Sequence, residues 1–400
     1  MRGTVERYGK GWRYRVELPR AETGRRRYST KAGFSTEGDA RRALNRVLVD
    51  IDDGVHVDRN DITVGEYLVE WLDRAAVDLR PTTMVGYRRS AGLIAGEIGR
   101  VRLQRLTPMA VETAYVRLIE EGRARKTVRN VHGVLRRALG DAERLGLVNR
   151  NAAAAAKAPA DEKKERPTWT PDELSAFLRS TADDPLYAAM VLFATTGLRR
   201  GEVCGLRWDN VDLETGELFV VTTRTTAGPV VIDGTTKTPK SRRRVSLDKG
   251  TVGVLRAHKT EQARVRLELG PVWVGEGHVF TLDDGRPLHP DQLSKTFRRL
   301  ADRSDLPRIR LHDLRHTYAT LGLRAGVHPK VMSERLGHAT VGVTLDLYSH
   351  VAPALDRDAA EEVASLLDYA PIDSSVEVSP VVEETDRLRR DGAARAERPS

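Results

Sequence analysis

The sequence predicts a multidomain, mainly α-helical protein with a small β-sheet-plus-helix domain at its N-terminus and a small antiparallel sheet in a larger C-terminal domain. Three observations predict this class. The 400 residues are enough for two or three domains of about 100–200 residues each. Apolar residues recur at helical spacing along most of the chain, and strand-like segments are confined to two places. A hydrophobic content of 40% with 31% charged residues is typical of a chain that buries real cores.

Residues 1–58 form the first predicted domain. The segment WRYRVEL alternates aromatic or aliphatic residues with charged ones, and RRRYST follows the turn-like AETG, so both are typical of short antiparallel strands. The next segment, TEGDARRALNRVLVDID, carries apolar residues at helical spacing. We therefore expect a three-stranded sheet with one helix. It should have a basic face, because residues 1–60 hold 14 Lys and Arg against 9 Asp and Glu.

A helical domain is predicted over residues 61–151. Thr63 stands three residues before Glu66 at the head of an apolar-periodic segment, which is the pattern of a capping box at a helix N-terminus. The segment LTPMAVETAYVRLIEEG begins another helix at its Thr-Pro pair and ends at Gly122. A third helix, KTVRNVHGVLRRALGDAERLG, has a basic polar face made of Lys126, Arg129, Arg136, Arg137 and Arg144. For each of these cations, a solvated position and a phosphate contact are both open.

Three further segments complete the organisation. Residues 152–168 combine an alanine run, two prolines and a dense charge cluster, a composition that predicts a linker. Residues 169–360 form the largest predicted domain, in which helices such as TPDELSAFLRS, capped by Thr170, surround strands at GELFVVTTRT, PVVID and RRRVSL. Residues 361–400 carry 10 acidic and 5 basic side chains with little apolar periodicity, which predicts a mostly disordered acidic tail.

The overall charge and the cysteine count restrict the class of protein. A formal net charge of +9 and a pI near 9.7 favour an anionic partner, with nucleic acid ahead of a membrane surface. The single cysteine, Cys204, excludes an intramolecular disulfide and a cysteine-based zinc finger, so we expect a reducing, cytoplasmic setting. The N-terminal segment lacks the apolar region of a secretory signal, and no stretch reaches the roughly 18 apolar residues of a membrane span.

The segment LHDLRHTYAT, residues 311–320, has three possible meanings. His312 and His316 have the i, i+4 spacing of a zinc-binding pair, but the permanently charged Arg315 in the same turn would repel a divalent cation. An ordinary helix N-terminus, with Asp313 near the positive end of the helix dipole, is the second interpretation. A phosphate site is the third, because a guanidinium offers paired donors that match two phosphate oxygens.

Other segments of the same domain favour the phosphate site. The apolar helix AAMVLFATT breaks at Gly197, and Arg199 follows at the turn. Glu202, three residues further on, is spaced to hold the Arg199 side chain in place. Downstream, His338 follows a Leu-Gly break, and Tyr348 stands ten residues later. Phosphoryl transfer without a metal needs at least two arginines, and this domain supplies them.

Three boxes taken together, TTGLRRGE, LHDLRHTYAT and LGHATVGVTLDLYSH, resemble the tyrosine recombinases, and specifically the phage-type integrases. The boxes occur in this order within one basic domain, which makes the resemblance highly specific. It covers residues 169–360 fully and extends to residues 61–151, which resemble a core-site DNA-binding domain. Residues 1–58 resemble the small arm-site DNA-binding domain found on integrases.

The resemblance implies a catalytic role for each matching residue. Arg199, in the first box, and Arg315, in the H-x-x-R pattern, match the two catalytic arginines. His312 matches the histidine of that same pattern, and His338 matches the histidine of the Leu-Gly-His box. Tyr348 matches the nucleophile. His316 and Tyr318 match no catalytic position and are expected to be packing or core residues.

A catalytic lysine should lie on a hairpin loop between the first two boxes. The family pattern K-T-x-x-S-x-R places it at Lys237, with Lys240 as the alternative. The resemblance implies that Lys237 protonates the departing 5′-oxygen, that His312 assists proton transfer at the tyrosine, and that His338 hydrogen-bonds a phosphate oxygen. Glu202 would support Arg199. No metal, cofactor or ATP is implied, because the phosphotyrosyl ester stores the energy of the broken bond.

The resemblance therefore implies a site-specific integrase that exchanges strands through a Holliday junction as a homotetramer on double-stranded attachment sites. It would integrate a phage or mobile element in the bacterial nucleoid. An excisionase-type directionality factor and a host DNA-bending protein are possible further partners. Two alternatives stay open, namely a non-catalytic DNA-binding regulator and an enzyme similar to type IB topoisomerases.

Overall fold

The computed structural model of the chain describes residues 3–18, 26–52, 60–160, 167–235, 242–338, 340–342 and 344–345. Within these ranges the protein is mainly helical, with small antiparallel sheets near the N-terminus and in the C-terminal half, which confirms the predicted fold class. The described residues up to Tyr318, together with Arg335–Gly337, form one compact unit, and the other described residues from Ala319 onward form a second. No helix in these ranges is both long and apolar enough to cross a membrane.

The N-terminal segment is a three-stranded sheet with one helix. Its elements are β1 (Gly3–Tyr8), β2 (Gly11–Leu18), β3 (Arg27–Phe34) and α1 (Glu37–Asp52), and the strands pair antiparallel in the order β1-β2-β3. Because side chains alternate between the faces of a strand, every second residue of β2 points towards α1. The buried core between sheet and helix consists of Tyr14, Val16, Leu18, Leu44 and Ile51.

The next segment is all helical. It contains α2 (Val64–Ala75), α3 (Pro81–Ile98), α4 (Pro108–Glu120), α5 (Arg125–Arg144) and the short α6 (Ala152–Ala155). Thr63 begins α2 with the predicted capping box, since its hydroxyl accepts from the Glu66 N–H at 3.3 Å and the Glu66 carboxylate accepts from the Thr63 N–H at 2.8 Å. The Trp71 indole donates to Asp141 at 2.8 Å, which ties α2 to α5.

The alanine run at 152–156 differs from its prediction as part of a linker. Its first four residues form α6, and the side chains of Ala152, Ala153 and Ala156 are buried in the core shared with α2 to α5. Composition alone suggested a linker, because it does not show that small side chains allow the chain to pack closely against helices. Residues 161–166 of the predicted linker lie outside the described residues, so a linker after this helix stays a prediction.

The C-terminal half begins with helices α7 (Pro171–Ser180), α8 (Tyr187–Thr196) and α9 (Arg200–Cys204). The strands that follow are β4 (Val211–Asp212), β5 (Glu217–Val220), β6 (Thr222–Ala227), β7 (Val230–Thr235) and β8 (Arg243–Ser246). The last described helices are α10 (Lys249–Leu269), α11 (Pro290–Ala301), α12 (Leu311–Arg324) and α13 (Pro329–Leu336). The predicted single sheet is in fact two, because β4-β5-β8 form one and the β6-β7 hairpin forms another.

The end of α8 positions the turn that carries the first arginine box. This helix is apolar on all sides and almost wholly buried, as expected for the central helix of a core. It ends at Gly197, whose φ of +63° suits glycine. A Cβ at this position would come within 2.6 Å of the Tyr318 ring and 2.7 Å of Leu336. Glycine therefore allows these residues to approach the turn closely.

Candidate functional site

Arg199 and Glu202 lie at the start of α9 and are bound to each other. Arg199 is the residue before the helix, and its backbone N–H donates to Oε2 of Glu202 at 2.9 Å. Its guanidinium Nη1 donates to Oε1 of the same carboxylate at 2.7 Å. The Glu202 side chain is 2% exposed and the Arg199 side chain is 38% exposed. In this pair, the Glu202 carboxylate is therefore buried and fixed, whereas part of the Arg199 side chain is accessible to solvent.

A second arginine, Arg243 at the start of β8, binds the same carboxylate from the other side. Its Nη1 donates to Oε1 of Glu202 at 3.0 Å, and its Nη2 donates to Oε2 at 2.8 Å. Burial alone would raise the pKa of Glu202, but the hydrogen bonds and charges of Arg243 and Arg199 outweigh it, so the pKa is lowered. Glu202 is therefore a buried carboxylate held in its charged form by two guanidinium groups.

Arg315, from the second arginine box, is buried beside this cluster. It is 3% exposed and donates through Nη1 to the carbonyl of Gly197 at 2.7 Å. Burial, followed by the nearby charge of Arg199, lowers the pKa of Arg315 to about 9. Both causes act against the charged guanidinium, and an anion bound between Arg199 and Arg315 would relieve the repulsion between them.

Three consecutive backbone carbonyls accept hydrogen bonds from the three arginines. The carbonyl oxygens of residues 335–337, at the end of α13, accept in chain order from Arg243 Nε at 2.6 Å, Arg315 Nη2 at 2.5 Å and Arg199 Nη2 at 2.6 Å. Carbonyls in the last turn of a helix have no partner within the helix and carry the negative end of its dipole. These carbonyls therefore bind cations favourably. Together with Glu202 they hold the three arginines, whose positive charges exceed the single negative charge of Glu202, so the cluster can bind an anion.

The two histidines of the second box flank a carboxylate that is already engaged. The His312 and His316 rings stand at 89° with their centroids 5.2 Å apart, and His312 is exposed while His316 is half-buried. Between them, Asp313 is buried and accepts from the Arg310 backbone N–H at 2.9 Å and from its Nη2 at 3.0 Å. Among the residues that the structure describes, no group of three His, Cys, Asp or Glu side chains is arranged to hold a metal ion.

Tyr318, expected to be a core residue, is half-buried instead. Its hydroxyl accepts a hydrogen bond from Arg335 Nε at 2.8 Å, so the ring has one apolar side and one polar end. This phenol therefore binds the side chain of the residue that carries the first of the three carbonyls, and the periodicity of the helix could not predict that contact.

The other predicted site residues lie in the second unit or outside the described ranges. In the second unit, the Nδ1 atom of His338 lies 2.8 Å from the Thr344 hydroxyl oxygen. Tyr348, Lys237 and the alternative Lys240 lie outside the described residues. The catalytic roles of all these residues stay predictions.

Arg243 is a site residue to which the sequence reasoning assigned no role, although a signal was present. It is the final residue of the K-T-x-x-S-x-R pattern that places Lys237. The carbonyls of residues 335–337 could not be found in this way, because backbone groups leave no signal in the sequence. Only Gly337 marks them, since its φ of +64° follows the end of α13 and a Cβ there would lie 3.0 Å from the Arg243 side chain.

Exposed basic side chains also occur on the N-terminal sheet and on α5. On the sheet, Arg15 is exposed, and its guanidinium lies 4.0 Å from the centre of the Tyr28 ring. Arg13 is half-buried, lies 4.3 Å from the centre of the Tyr8 ring and pairs with Glu6 at 2.6 Å. In both cases, the cation–π contact holds the flexible arginine side chain on the face of the sheet opposite the core. On α5, the exposed cations are those predicted for this helix, namely Lys126, Arg129, Arg136, Arg137 and Arg144.

Known protein families match the chain in two places. Residues 169–354 match the phage integrase family, and residues 5–51 match the arm DNA-binding domain. The chain is 27% identical over 376 residues to the tyrosine recombinase XerC-like protein of Caldanaerobacter subterraneus subsp. tengcongensis, which covers 89% of this chain and 96% of that protein. It is 30% identical over 272 residues to the ICEBs1 integrase of Bacillus subtilis, which covers 66% and 72%, respectively.

Solved structures share the fold. The Tn1549 transposon integrase in complex with transposon right end DNA gives a TM-score of 0.66 at 21% identity, over 76% of this chain and 99% of that chain. A lambda integrase tetramer bound to a Holliday junction gives a TM-score of 0.55 at 19% identity, over 84% and 92%. At these identities the likeness establishes the fold alone.

Proposed function

The chain belongs to the phage integrase family, and on this premise we propose that it is a site-specific DNA recombinase that works through a covalent 3′-phosphotyrosyl intermediate. It inserts a phage genome or another mobile element into a chromosome, and excises it with the help of a partner. Residues 1–58 bind arm sites, residues 61–151 bind the core site, and residues 169–360 carry out the chemistry.

The observation that supports this proposal most is the convergence of Arg199 and Arg315 on the carbonyls of residues 335–337. A phosphodiester under attack gains negative charge on its non-bridging oxygens, and guanidinium groups that are already in place stabilise this charge without reorganising. The buried Glu202 carboxylate orients Arg199 and leaves its exposed part for the DNA. The cluster thus supplies the positive charge that a metal ion supplies in other phosphoryl-transfer sites.

The strand exchange needs a nucleophile and two proton transfers. The Tyr348 hydroxyl attacks the phosphorus, a new bond forms between its oxygen and the phosphorus, and the bond to the 5′-oxygen breaks. His312 assists removal of the tyrosine proton, and Lys237 gives a proton to the departing 5′-oxygen. His338 hydrogen-bonds a phosphate oxygen. In the second half, the 5′-hydroxyl of the partner strand attacks the phosphotyrosine and releases Tyr348, so neither ATP nor a metal ion is consumed.

We further propose a homotetramer on two DNA duplexes, which exchanges strands in pairs through a Holliday junction. The lambda integrase structure described above supports this arrangement by fold. The exposed cations of α5 contact core-site phosphates, and those of the N-terminal sheet contact arm sites. A directionality factor of the excisionase type and a host DNA-bending protein complete the assembly in the nucleoid.

The test is a joining assay with two DNA duplexes that carry the attachment sites mapped at the chromosomal junctions beside the gene. The full chain should join them, and form a protein–DNA adduct, in EDTA and without ATP. Relaxation of supercoiled DNA without joining would point to the topoisomerase-like alternative, and binding without an adduct would point to a regulator. Strict dependence on a divalent ion would revive the metal interpretation of His312 and His316.

A further inference from the structure

We infer that Arg243 is a positioning residue for strand cleavage, which acts through Glu202 and the end of α13 to hold Arg199 and Arg315 in place. The inference rests on the proposed recombinase function and adds to it a residue that does not touch the DNA. It is carried by the contacts, burial and charge of the arginine cluster.

The side chain of Arg243 points into the protein interior. Its side chain is 7% exposed, and three of its N–H donors bind inward, two to the carboxylate oxygens of Glu202 and one to the carbonyl of Arg335. Arg199, by contrast, is 38% exposed. The two arginines therefore have different roles. Arg199 can reach a phosphate, whereas Arg243 is hydrogen-bonded to its neighbours in the protein.

Arg243 binds one of the two groups that hold Arg199 and a backbone carbonyl close to the other. Arg199 donates to Glu202 and to the carbonyl of Gly337, and Arg243 donates to the same carboxylate and to the carbonyl two residues before Gly337. The carbonyl between these two accepts from Arg315. Arg243 is therefore the clamp between the start of α9 and the end of α13. Arg199 directly precedes α9, and Arg315, on α12, donates to a carbonyl at the end of α13, so both catalytic arginines contact the parts that Arg243 joins.

A guanidinium is needed for this clamp. The N–H donors of the planar guanidinium group bind two carboxylate oxygens and a carbonyl oxygen at fixed angles, whereas the ammonium of lysine is a point charge at the end of a flexible side chain. A buried ion pair contributes little to net stability compared with well-packed apolar side chains. What this pair contributes is a fixed orientation of the Glu202 carboxylate, and through it a fixed orientation of Arg199.

The experiment compares the full chain with Arg243→Lys, Arg243→Gln and the neighbouring control Arg244→Lys, whose native side chain is 64% exposed and pairs with Glu217. Single-turnover cleavage is measured on a nicked core-site substrate at saturating DNA. Arg243→Lys should cleave about tenfold more slowly or worse, with DNA affinity within about twofold of the wild type, because the loss lies in the chemical step. Arg243→Gln should be slower still, and Arg244→Lys should match the wild type.

A double-mutant cycle separates positioning from general damage. In an Arg199→Ala background the cost of Arg243→Lys should shrink to about threefold or less, since residues that act as a unit are not additive. An equal cost in both backgrounds, or cleavage by Arg243→Lys within about twofold of the wild type, would overturn the inference.

Amide hydrogen exchange gives a readout that does not depend on catalysis. Arg243→Lys should raise exchange in α9 and at residues 335–337 together, because the clamp between them is released, while Arg244→Lys should leave both unchanged. Unchanged exchange in both segments would contradict the clamp. If the wild-type chain forms no adduct at all, the proposed recombinase function is wrong, and the exchange data still decide whether Arg243 joins the two segments.

Discussion

Glu202 and Arg243 form a two-point ion pair that is almost completely buried, with side chains 2% and 7% exposed. Arg199 binds the same carboxylate, so one negative charge is shared by two guanidinium groups. Removing a single partner from a buried pair leaves the other charge without compensation, which costs about 3–5 kcal/mol. The site is therefore sensitive to the loss of Glu202 in both its stability and its activity.

Glu202→Gln should lower the free energy of unfolding at pH 7 by about 3 kcal/mol, for that reason. The sign of the pH dependence follows from the lowered pKa of Glu202. A carboxylate with a lowered pKa in the folded state stabilises above its unfolded pKa of about 4.3, and this contribution is lost as the pH falls through the folded value. The stability difference between wild type and variant should therefore be constant above about pH 5 and shrink below it.

Urea denaturation of both proteins at a series of pH values measures this difference. Glu217→Gln is the matched control, because Glu217 pairs with Arg244 at 3.0 Å near the surface, with side chains 26% and 64% exposed. Its loss should cost less than about 1 kcal/mol. A stability difference for Glu202→Gln that grows towards acid pH would contradict the charged, arginine-bound state of Glu202.

Arg199→Ala and Arg315→Ala should each slow strand cleavage by about 10²-fold or more, because they remove charge stabilisation that is in place before the reaction. DNA binding should fall much less, since the other exposed cations that we propose to contact the DNA backbone are kept. Arg200→Ala is the control from the position next to Arg199, as Arg200 pairs with Asp291 at 2.9 Å and is not part of the cluster. Cleavage by the two variants within a few-fold of the wild type would place the phosphate clamp elsewhere.

The sequence predicted the elements of the fold because their signals are local. The capping box at Thr63, the helix cap at Thr170 and the alternation in β2 are each set by neighbouring residues, and each was confirmed. The alanine run at 152–156 was misjudged because its burial depends on helices that are distant in the sequence. The division of the C-terminal strands into two sheets has the same cause, since β5 pairs with β8 and not with β6.

Only part of the candidate site was predicted, because some of its contacts join residues that are distant in the sequence. The motifs pointed to Arg199, Glu202 and Arg315, and the structure brings these three together with Arg243. The contact between Arg199 and Glu202 follows from their spacing at the start of a helix. The contact of Arg243 with Glu202 joins residues 41 positions apart, and sequence patterns without a fold do not reveal such a pairing.

Tyr348→Phe should bind DNA normally and form no covalent adduct, because it lacks the oxygen that attacks the phosphorus. A nicked suicide substrate traps the adduct, which a denaturing gel resolves from free DNA. Tyr318→Phe is the control, since Tyr318 uses its hydroxyl to accept from Arg335. That variant should still form the adduct. An adduct in Tyr348→Phe would show that another residue is the nucleophile.

Removal of residues 1–58 should separate cleavage from integration. Among the residues that the structure describes, the core of the N-terminal segment is formed by side chains between Val5 and Ile51, and the helical core begins at Ile62, so the cut should leave the second core intact. The truncated protein should keep Tyr348-dependent cleavage of an isolated core site. It should fail to integrate a full attachment site with flanking arms, because arm contacts are lost.

The salt dependence of binding gives an independent measure of the same truncation. Arg13 and Arg15 lie on the exposed face of the sheet, and each phosphate neutralised by such a cation adds about 0.9 to the slope of log K against log salt. The truncated protein should therefore bind a full attachment site with a shallower slope than the intact chain, and the two should have equal slopes on the core site alone. Equal slopes on both sites, with integration as efficient as that of the intact protein, would mean that residues 1–58 do not bind the arms.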